Sequence, residues 1–380
     1  MVIGILKEDS STEKRVALSP AGVQTLTAMG HTVYVQELAG AESRFTDEEY
    51  RTAGAKTAFS RDEVLNRGEV VMKVSPPSEE ILSILGEGQV LFSFYHMSVS
   101  KRRTIETLLG NKITAVAYEL IENTRGDLTV LQSMSEIAGQ VSMQVAAHYL
   151  QAKEGGRGVL LGSVPGVPPA SVLILGCGAV GRTAARIALG MGAAVTILDK
   201  DLSRLRHAEE IFQWRVVTGI ATPYNIRRAV RISDVVIGAV LMKAEKTPHL
   251  VTEEMVKEMK PGSVIVDVSI DEGGCIETSR PTRMDDPIFV HHNVIHYCVP
   301  NIPSIVARTA SASLTNAVIP YVQQVVELGP ERAFLSDSGL AKGVCTYNGF
   351  CTNQALGHTF GLKAIDLQLF VRRKFEPSKN

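Results

Sequence analysis

Short apolar runs alternate with amphipathic stretches over the first 120 residues or so: VIGIL from Val2, AGVQTLTAM from Ala21, TVYVQE from Thr32, then EVVMKV, QVLFSFYH and ITAVAYEL. Runs this short, apolar on both faces and spaced by helical patterns, predict a parallel α/β sheet. From about Ser133 the pattern changes to a helix, EIAGQVSMQVAAHYL, followed by a Gly/Pro-rich loop. The apolar runs SVLILG and AVTIL then flank an Ala-rich helix, and DVVIGAV, SVIVDVS and VIHYCV follow, separated by EEMVKEM and a polar loop. After Asn301-Ile302-Pro303 a further helix is expected from about Ala312 to Leu328, with Leu314, Ala317, Val318, Tyr321, Val322 and Val325 at helical spacing. That stripe reads as core or subunit contact. The basic tail beyond Leu369 reads as poorly ordered.

The run closing at Leu175 leads directly into Gly176-Cys177-Gly178-Ala179-Val180-Gly181, and the next apolar run closes on Asp199, eighteen residues after Gly181. This is the spacing of a dinucleotide-binding βαβ unit. The first glycine makes the tight turn, the second lets backbone approach a pyrophosphate, and the third lets the helix lie close on the sheet. The helix N-terminus offers unpaired N–H groups and a positive dipole end to the phosphates. A carboxylate at Asp199 would accept from both ribose hydroxyls of NAD and repel the 2′-phosphate of NADP. No such glycine motif follows the first strand, where Lys7 and Glu8 stand instead. The first half is therefore α/β without a dinucleotide fingerprint, and is expected to hold the other reactant.

At 380 residues the chain exceeds one ordinary core, so two domains are the expectation. The fold class is α/β: two Rossmann-like domains, with a continuous NAD-binding domain at 131–305 inserted in a discontinuous substrate domain at 1–130 and 306–380. With a formal net charge of −1, the chain has no general attraction for nucleic acid or an anionic membrane. Lys101-Arg102-Arg103 and Arg372-Arg373-Lys374 read as solvated faces. The five cysteines form no CxxC pair, and their odd number argues against a disulfide framework, which fits a reducing cytoplasm. Lys7 interrupts the N-terminus before a signal-peptide core can form. Val159 to Gly181 carries no charge, but Pro165, Pro168, Pro169 and five glycines make it a loop feeding a buried strand rather than a membrane span.

Four polar residues are candidates for chemistry. Arg15, in the charged connection KEDSSTEKRVALSP after the first strand, can clamp a carboxylate bidentately, although a solvated loop cation has the same sequence signature. Lys73 lies near the end of an apolar strand, where it needs a partner charge or a cleft, and reads as a second carboxylate anchor. His96 closes QVLFSFYH at a strand's C-terminal end and suits acid–base work near neutral pH, although a histidine of the core has the same sequence signature. Asp271, on the Gly-rich exit beyond Asp267, would polarise water or orient a substrate nitrogen, or else form a turn before Gly273-Gly274. His291 and His292 would diverge on a strand, and with His296 they suggest no metal constellation. Ser135 lacks a recognisable triad, so hydrolase chemistry is unsupported.

In these residues, and in the blocks KEDSSTEKRVALSPAGV, MKVSPP, LFSFYHMS, MSEIAGQ, GVLLGSVPGV, LILGCGAVGRTAARIALGMGA, VIGAVL, PGSVIVDVSIDEGGCIETSRPT, HYCVPNIPS and SLTNAVIPY, the chain resembles the NAD-dependent alanine dehydrogenases from Val2 to about Gly343. The resemblance implies that Arg15 and Lys73 hold a substrate carboxylate, that His96 is the acid/base, and that Asp271 serves the water and ammonia step. It also implies cofactor roles for Ser135, Asp199, Arg204, Thr222, Leu241 and Asn301, beside Gly176, Gly178, Ala179, Val180 and Gly181. The implied reaction is reversible NAD-dependent deamination of L-alanine to pyruvate and ammonia, by a cytoplasmic homo-hexamer without metal, nucleic-acid or membrane partners. Three positions depart from the family pattern, Gln140 where that family has a basic residue, Pro300 where it has Ala and Ile302 where it has Met near the nicotinamide, and the last two bear on which amino acid is taken. From Asn348 the resemblance fades. A dehydrogenase with another side-chain preference, a transhydrogenase-like protein and a non-catalytic NAD-binding paralogue remain open as alternatives.

Overall fold

The computed structural model describes residues 1–96, 100–241 and 247–375. Among the described residues there are fifteen strands in chain order. The first six are β1 Val2–Ile5, β2 Thr32–Gln36, β3 Lys56–Ala58, β4 Val70–Met72, β5 Val90–Ser93 and β6 Thr114–Ala117. Then come β7 Ser171–Leu175, β8 Ala194–Asp199, β9 Val217–Ile220, β10 Val235–Gly238, β11 Val264–Asp267, β12 Ile288–His291 and β13 Val294–Tyr297, and finally β14 Val344–Tyr347 and β15 Phe350–Cys351. The chain divides into two compact units, one formed by Met1–Met134 with Ser304–Asn380 and the other by Ser135–Pro303.

In the first unit the sheet runs β15-β14-β6-β5-β4-β1-β2-β3. The six strands β1 to β6 are parallel, and the residues of the central β1, β4, β5 and β6 are almost all buried, which accounts for their unbroken apolar runs, while β2 and β3 toward the edge are partly exposed. Thr346 in β14 donates through its hydroxyl to the Ile113 carbonyl at 2.8 Å, beside an antiparallel β6–β14 pairing with an irregular register. In the second unit the order is β12-β13-β11-β10-β7-β8-β9, parallel apart from β12. Both sheets thus share the doubly wound order, reversing direction between β1 and β4 in one and between β7 and β10 in the other. Ligands of such sheets lie outside the strand C-termini at that reversal.

The helix at Ala307–Leu328 starts earlier than its apolar stripe suggests, and its buried face includes Ser311 and Thr315 beside Leu314, Val318, Tyr321, Val322 and Val325. Of the tail beyond Leu369, the part up to Phe375 is helical, within Leu367–Phe375, where Leu367 and Val371 are buried, and the rest lies outside the described residues. All five cysteines are buried and unpaired. Among the described residues no helix is long and apolar enough to cross a membrane.

Candidate functional site

In the first unit the exits of four neighbouring strands carry the polar groups: Glu8 beyond β1, Lys73 beyond β4, His96 beyond β5 and Glu119 beyond β6. Glu8 and Lys73 face each other across the reversal point. Lys73 Nζ donates to Glu8 Oε2 and, at 2.8 Å, to Ser75 Oγ, while the Val74 N–H donates to Glu8 Oε1 at 2.6 Å. Both side chains are more than nine-tenths buried. The partner that a lysine in an apolar strand requires is therefore Glu8, 65 positions away.

Arg15 is likewise buried, and its guanidinium grips Glu13 with two N–H groups at 2.8 and 2.7 Å. Its Nη1 lies 3.3 Å from Met134 Sδ, and its Cζ sits 5.6 Å from the centre of the Phe94 ring. Burial by itself would push the Glu13 carboxyl up, but the charge and hydrogen bonds of Arg15, with help from Ser304, hold it below the usual carboxylate range. The loop that carries Arg15 has no strand or helix to satisfy its backbone. The N–H groups of Lys14, Val16 and Ser19 donate instead to the hydroxyls of Ser304, Ser311 and Thr315 at 2.7 to 2.9 Å.

His96 adopts a left-handed backbone, with φ +48°, which turns it out of the line of β5. The carboxylate of Glu119 holds it there, accepting from the N–H groups of Tyr95 and His96 at 3.0 and 2.8 Å. Loss of water around Glu119 pushes its carboxyl up, opposed by the nearby His96 and these hydrogen bonds. Phe94 joins the group: its ring stacks on the His96 imidazole at 6.2 Å and meets the Tyr118 ring edge-on at 5.1 Å. The Tyr118 hydroxyl is buried without a hydrogen-bond partner among the described residues, and burial and the charge of Glu8 keep it firmly protonated. Sequence reasoning left Glu13, Phe94, Tyr118 and Glu119 unassigned. The signal was there in part, since a buried Arg, Lys or His at a strand exit implies a carboxylate nearby.

The second unit shows the same arrangement at its strand exits. Gly176, with φ +103°, turns the chain out of β7, and a Cβ there would lie 2.4 Å from the Ala239 carbonyl oxygen. At Gly181 a Cβ would come within 1.9 Å of the Gly176 carbonyl oxygen, so the helix Ala179–Gly190 packs too closely for any side chain. Gly178 differs: a Cβ there would meet nothing within 4 Å, and no side chain caps the helix. That combination is an open cradle beside unsatisfied N–H groups, and it fits a pyrophosphate. Asp199, at the end of β8, is buried and accepts from the Cys177 N–H at 2.6 Å and the Asp201 N–H at 2.9 Å, tying the glycine loop to the second strand.

Thr222 caps the helix Pro223–Ile232 by accepting from the Asn225 N–H at 3.2 Å, and Arg204 lies exposed on the helix Leu202–Ile211. Leu241 is half-exposed beyond β10, and Ser135 sits on the long helix Thr129–Tyr149. On that helix a Cβ at Gly139 would lie 2.5 Å from the Val180 carbonyl oxygen, a close approach to the glycine-loop helix that sequence reasoning missed. Asp271 is in a short 3₁₀ segment, Val268–Glu272, and its Oδ1 accepts from the Asn301 N–H at 3.0 Å, bracing Asn301 at φ +53°. Asp267 accepts from three backbone N–H groups and serves the loop.

Comparison with known proteins places the chain in a family. The alanine dehydrogenase/PNT N-terminal domain matches residues 4–138 and the C-terminal domain of the same family residues 142–354. This chain belongs to the alanine dehydrogenase/PNT family. Alanine dehydrogenase from Methanococcus maripaludis is 46% identical over 368 residues, covering 97% of both chains. The enzyme of that name from Mycobacterium tuberculosis is 42% identical over 362 residues, 95% of this chain and 97% of its own. A solved L-alanine dehydrogenase superposes with a TM-score of 0.89 at 40% identity, covering 95% of this chain and 99% of that one. A transhydrogenase from Sinorhizobium meliloti superposes with a TM-score of 0.78 at 26% identity, over 93% of this chain and all of that one.

Two expectations change. Similarity to this family extends past Asn348, since a match covering 97% of the chain leaves only about a dozen residues outside it. His291 and His292 do not diverge, because only His291 belongs to a strand, and both rings approach Glu253. Of the three departures from the family pattern, Ile302 is buried at the start of the 3₁₀ segment Ile302–Val306, whereas Gln140 and Pro300 are partly exposed.

Proposed function

We propose that this chain catalyses the reversible, NAD-dependent oxidative deamination of L-alanine to pyruvate and ammonia. One observation supports the reading most: Arg15 Cζ lies 5.6 Å from the centre of the Phe94 ring, and the same ring stacks on the His96 imidazole at 6.2 Å, so the two candidate groups share one aromatic neighbour. In this reading Arg15 and Lys73 bind the carboxylate common to alanine and pyruvate, each held in place by its own glutamate. His96 accepts a proton as hydride loss from the α-carbon turns the amine into an iminium and as the hydrated iminium collapses to the carbonyl, and it returns that proton in the reverse direction. Asp271 activates the water that enters, or the ammonia that leaves.

Gly176, Gly178 and Gly181, with the adjoining Ala179 and Val180, would hold the pyrophosphate of NAD, and Asp199 its adenosine ribose. Ser135, Arg204, Thr222, Leu241 and Asn301 complete the proposed cofactor set. When bound, NAD supplies the hydride acceptor. Two fixed cations fit a substrate whose constant feature is one carboxylate.

The deciding experiment is NADH oxidation with ammonia and a panel of 2-oxo acids. Turnover on pyruvate above the larger acids supports the reading; turnover only on a larger acid would overturn the alanine assignment. The similarity to a transhydrogenase makes a control worthwhile. Reduction of an NAD analogue by NADH with no amino acid present would favour hydride exchange between nucleotides instead.

A further inference from the structure

Three polar side chains outside both sets of strand-exit residues converge on one point of the second unit. Glu253 opens the short helix Glu253–Lys257, His291 ends β12, and His292 begins the connection to β13. His292 and Asn293 have φ of +49° and +62°, and His291 pairs with Val294 to close the hairpin. Two successive left-handed residues between paired strands make the type I′ connection, in which consecutive side chains no longer alternate across the sheet. The two rings therefore lie side by side, 4.1 Å apart at 55°. Their Nε2 atoms approach the same oxygen, Glu253 Oε1, at 3.5 Å for His291 and 2.7 Å for His292.

We propose that Glu253, His291 and His292 form a binding site for a borderline divalent cation such as Zn²⁺, Ni²⁺ or Cu²⁺, with water completing the shell. The donor set selects the class, since two imidazole nitrogens and a carboxylate suit these ions, whereas Mg²⁺ and Ca²⁺ demand oxygen shells. The donor atoms all lie within 4.8 Å of one another. Zinc–donor bonds of about 2.0–2.2 Å at tetrahedral angles separate donors by roughly 3.3–3.6 Å. The His291 separation already suits that geometry, and the His292 contact of 2.7 Å has to open by roughly 0.6–0.9 Å. Side-chain exposures of 44%, 29% and 44% for Glu253, His292 and His291 leave the site open to solvent and the side chains able to adjust.

The surroundings support the site from behind. Glu253 is anchored by its own N–H, which donates to Glu277 Oε2 at 2.7 Å, and Thr252 caps the helix. His296 is not a candidate ligand: its ring is occupied by Thr278 at 2.8 Å and by the Val294 carbonyl at 3.0 Å. The competing cation, Lys257, stands 3.9 Å from Glu253 Oε1 but is better satisfied by Glu254 at 2.6 Å, so an incoming ion displaces little. A bound ion would join the hairpin tip to a helix start 39 positions earlier in the chain.

The test is calorimetric titration of the untagged full-length protein with ZnCl₂, alongside His292→Asn and Glu253→Gln. Asparagine is favoured at a left-handed turn position, so His292→Asn keeps the hairpin while removing a donor. Expected are saturable binding of one Zn²⁺ per chain and an affinity lowered about tenfold or more in each variant. Co²⁺ added in place of Zn²⁺ should give visible absorption bands in the wild type that both variants lose. Equal Zn²⁺ affinity in wild type and His292→Asn, or no saturable binding at all, would overturn the proposal and leave the cluster as a hydrogen-bonded staple.

Discussion

Glu13 and Arg15, two residues apart in an irregular loop, form a fully buried bidentate ion pair. The pairing fixes the plane of the guanidinium, and so fixes which of its remaining edges a carboxylate can meet. Lysine keeps the charge but has no plane. Arg15→Lys is expected to raise KM for pyruvate by about 10–100-fold, the loss of roughly 1.4–2.8 kcal/mol of oriented binding, with a smaller change in kcat. Steady-state kinetics in the amination direction measures this. An unchanged KM would remove Arg15 from the substrate site.

The same pair predicts a pH dependence of stability. Glu13 has its carboxyl held below the ordinary value of 4.5 in the folded chain, so its contribution is present above that value and is lost as the pH falls through the lower, folded one. Glu13→Gln removes the carboxylate that the buried Arg15 guanidinium grips and should cost about 3–5 kcal/mol near neutrality. Urea denaturation in steps from about pH 6 to pH 3 should show that gap narrowing as the wild-type carboxylate protonates. A gap that is constant with pH would mean the pair contributes no charge interaction.

Glu8 and Lys73 offer a test of the second anchor. Lys73→Met alone strands a buried carboxylate and is expected to be strongly destabilising, by about 3–5 kcal/mol. Adding Glu8→Gln removes the stranded charge and should recover much of that loss, giving a coupling energy above about 1 kcal/mol in a double-mutant cycle. Activity should not recover, because the cation that meets the substrate is still missing. Recovery of both stability and turnover would assign Lys73 a purely structural role.

Two glycines of the same loop should fail in different ways. Gly181→Ala forces a carbon against the Gly176 carbonyl, so stability and NADH binding should fall together, with a loss of several kcal/mol on the scale of other severe core substitutions. Gly178→Ala meets nothing in the chain itself, so the melting temperature should hold while NADH affinity drops, the methyl occupying room that the pyrophosphate needs. Thermal melts paired with NADH fluorescence titration separate the two. Undiminished NADH affinity in Gly178→Ala would place the phosphates elsewhere.

The alternation of apolar and amphipathic runs was enough to read two parallel α/β sheets, and the glycine spacing with Asp199 marked the turn out of β7. These features are local: strand burial, helix period and the conformational needs of glycine act over a few residues and leave their mark in sequence order. Arg15, Lys73, His96 and Asp271 were also visible as charges at strand ends. What completes them was not. Glu8 reaches Lys73 across 65 positions, Glu119 holds His96 across 23, and Ser311 steadies the Arg15 loop across 295. Burial makes a partner obligatory for each of these groups without saying where in the chain it lies. Only the order in which the strands assemble, β6-β5-β4-β1, decides that four strand exits stand side by side. A two-residue turn at His292 likewise settles whether neighbouring histidines separate or meet, because the sign of φ at one residue redirects a side chain that strand periodicity would send the other way.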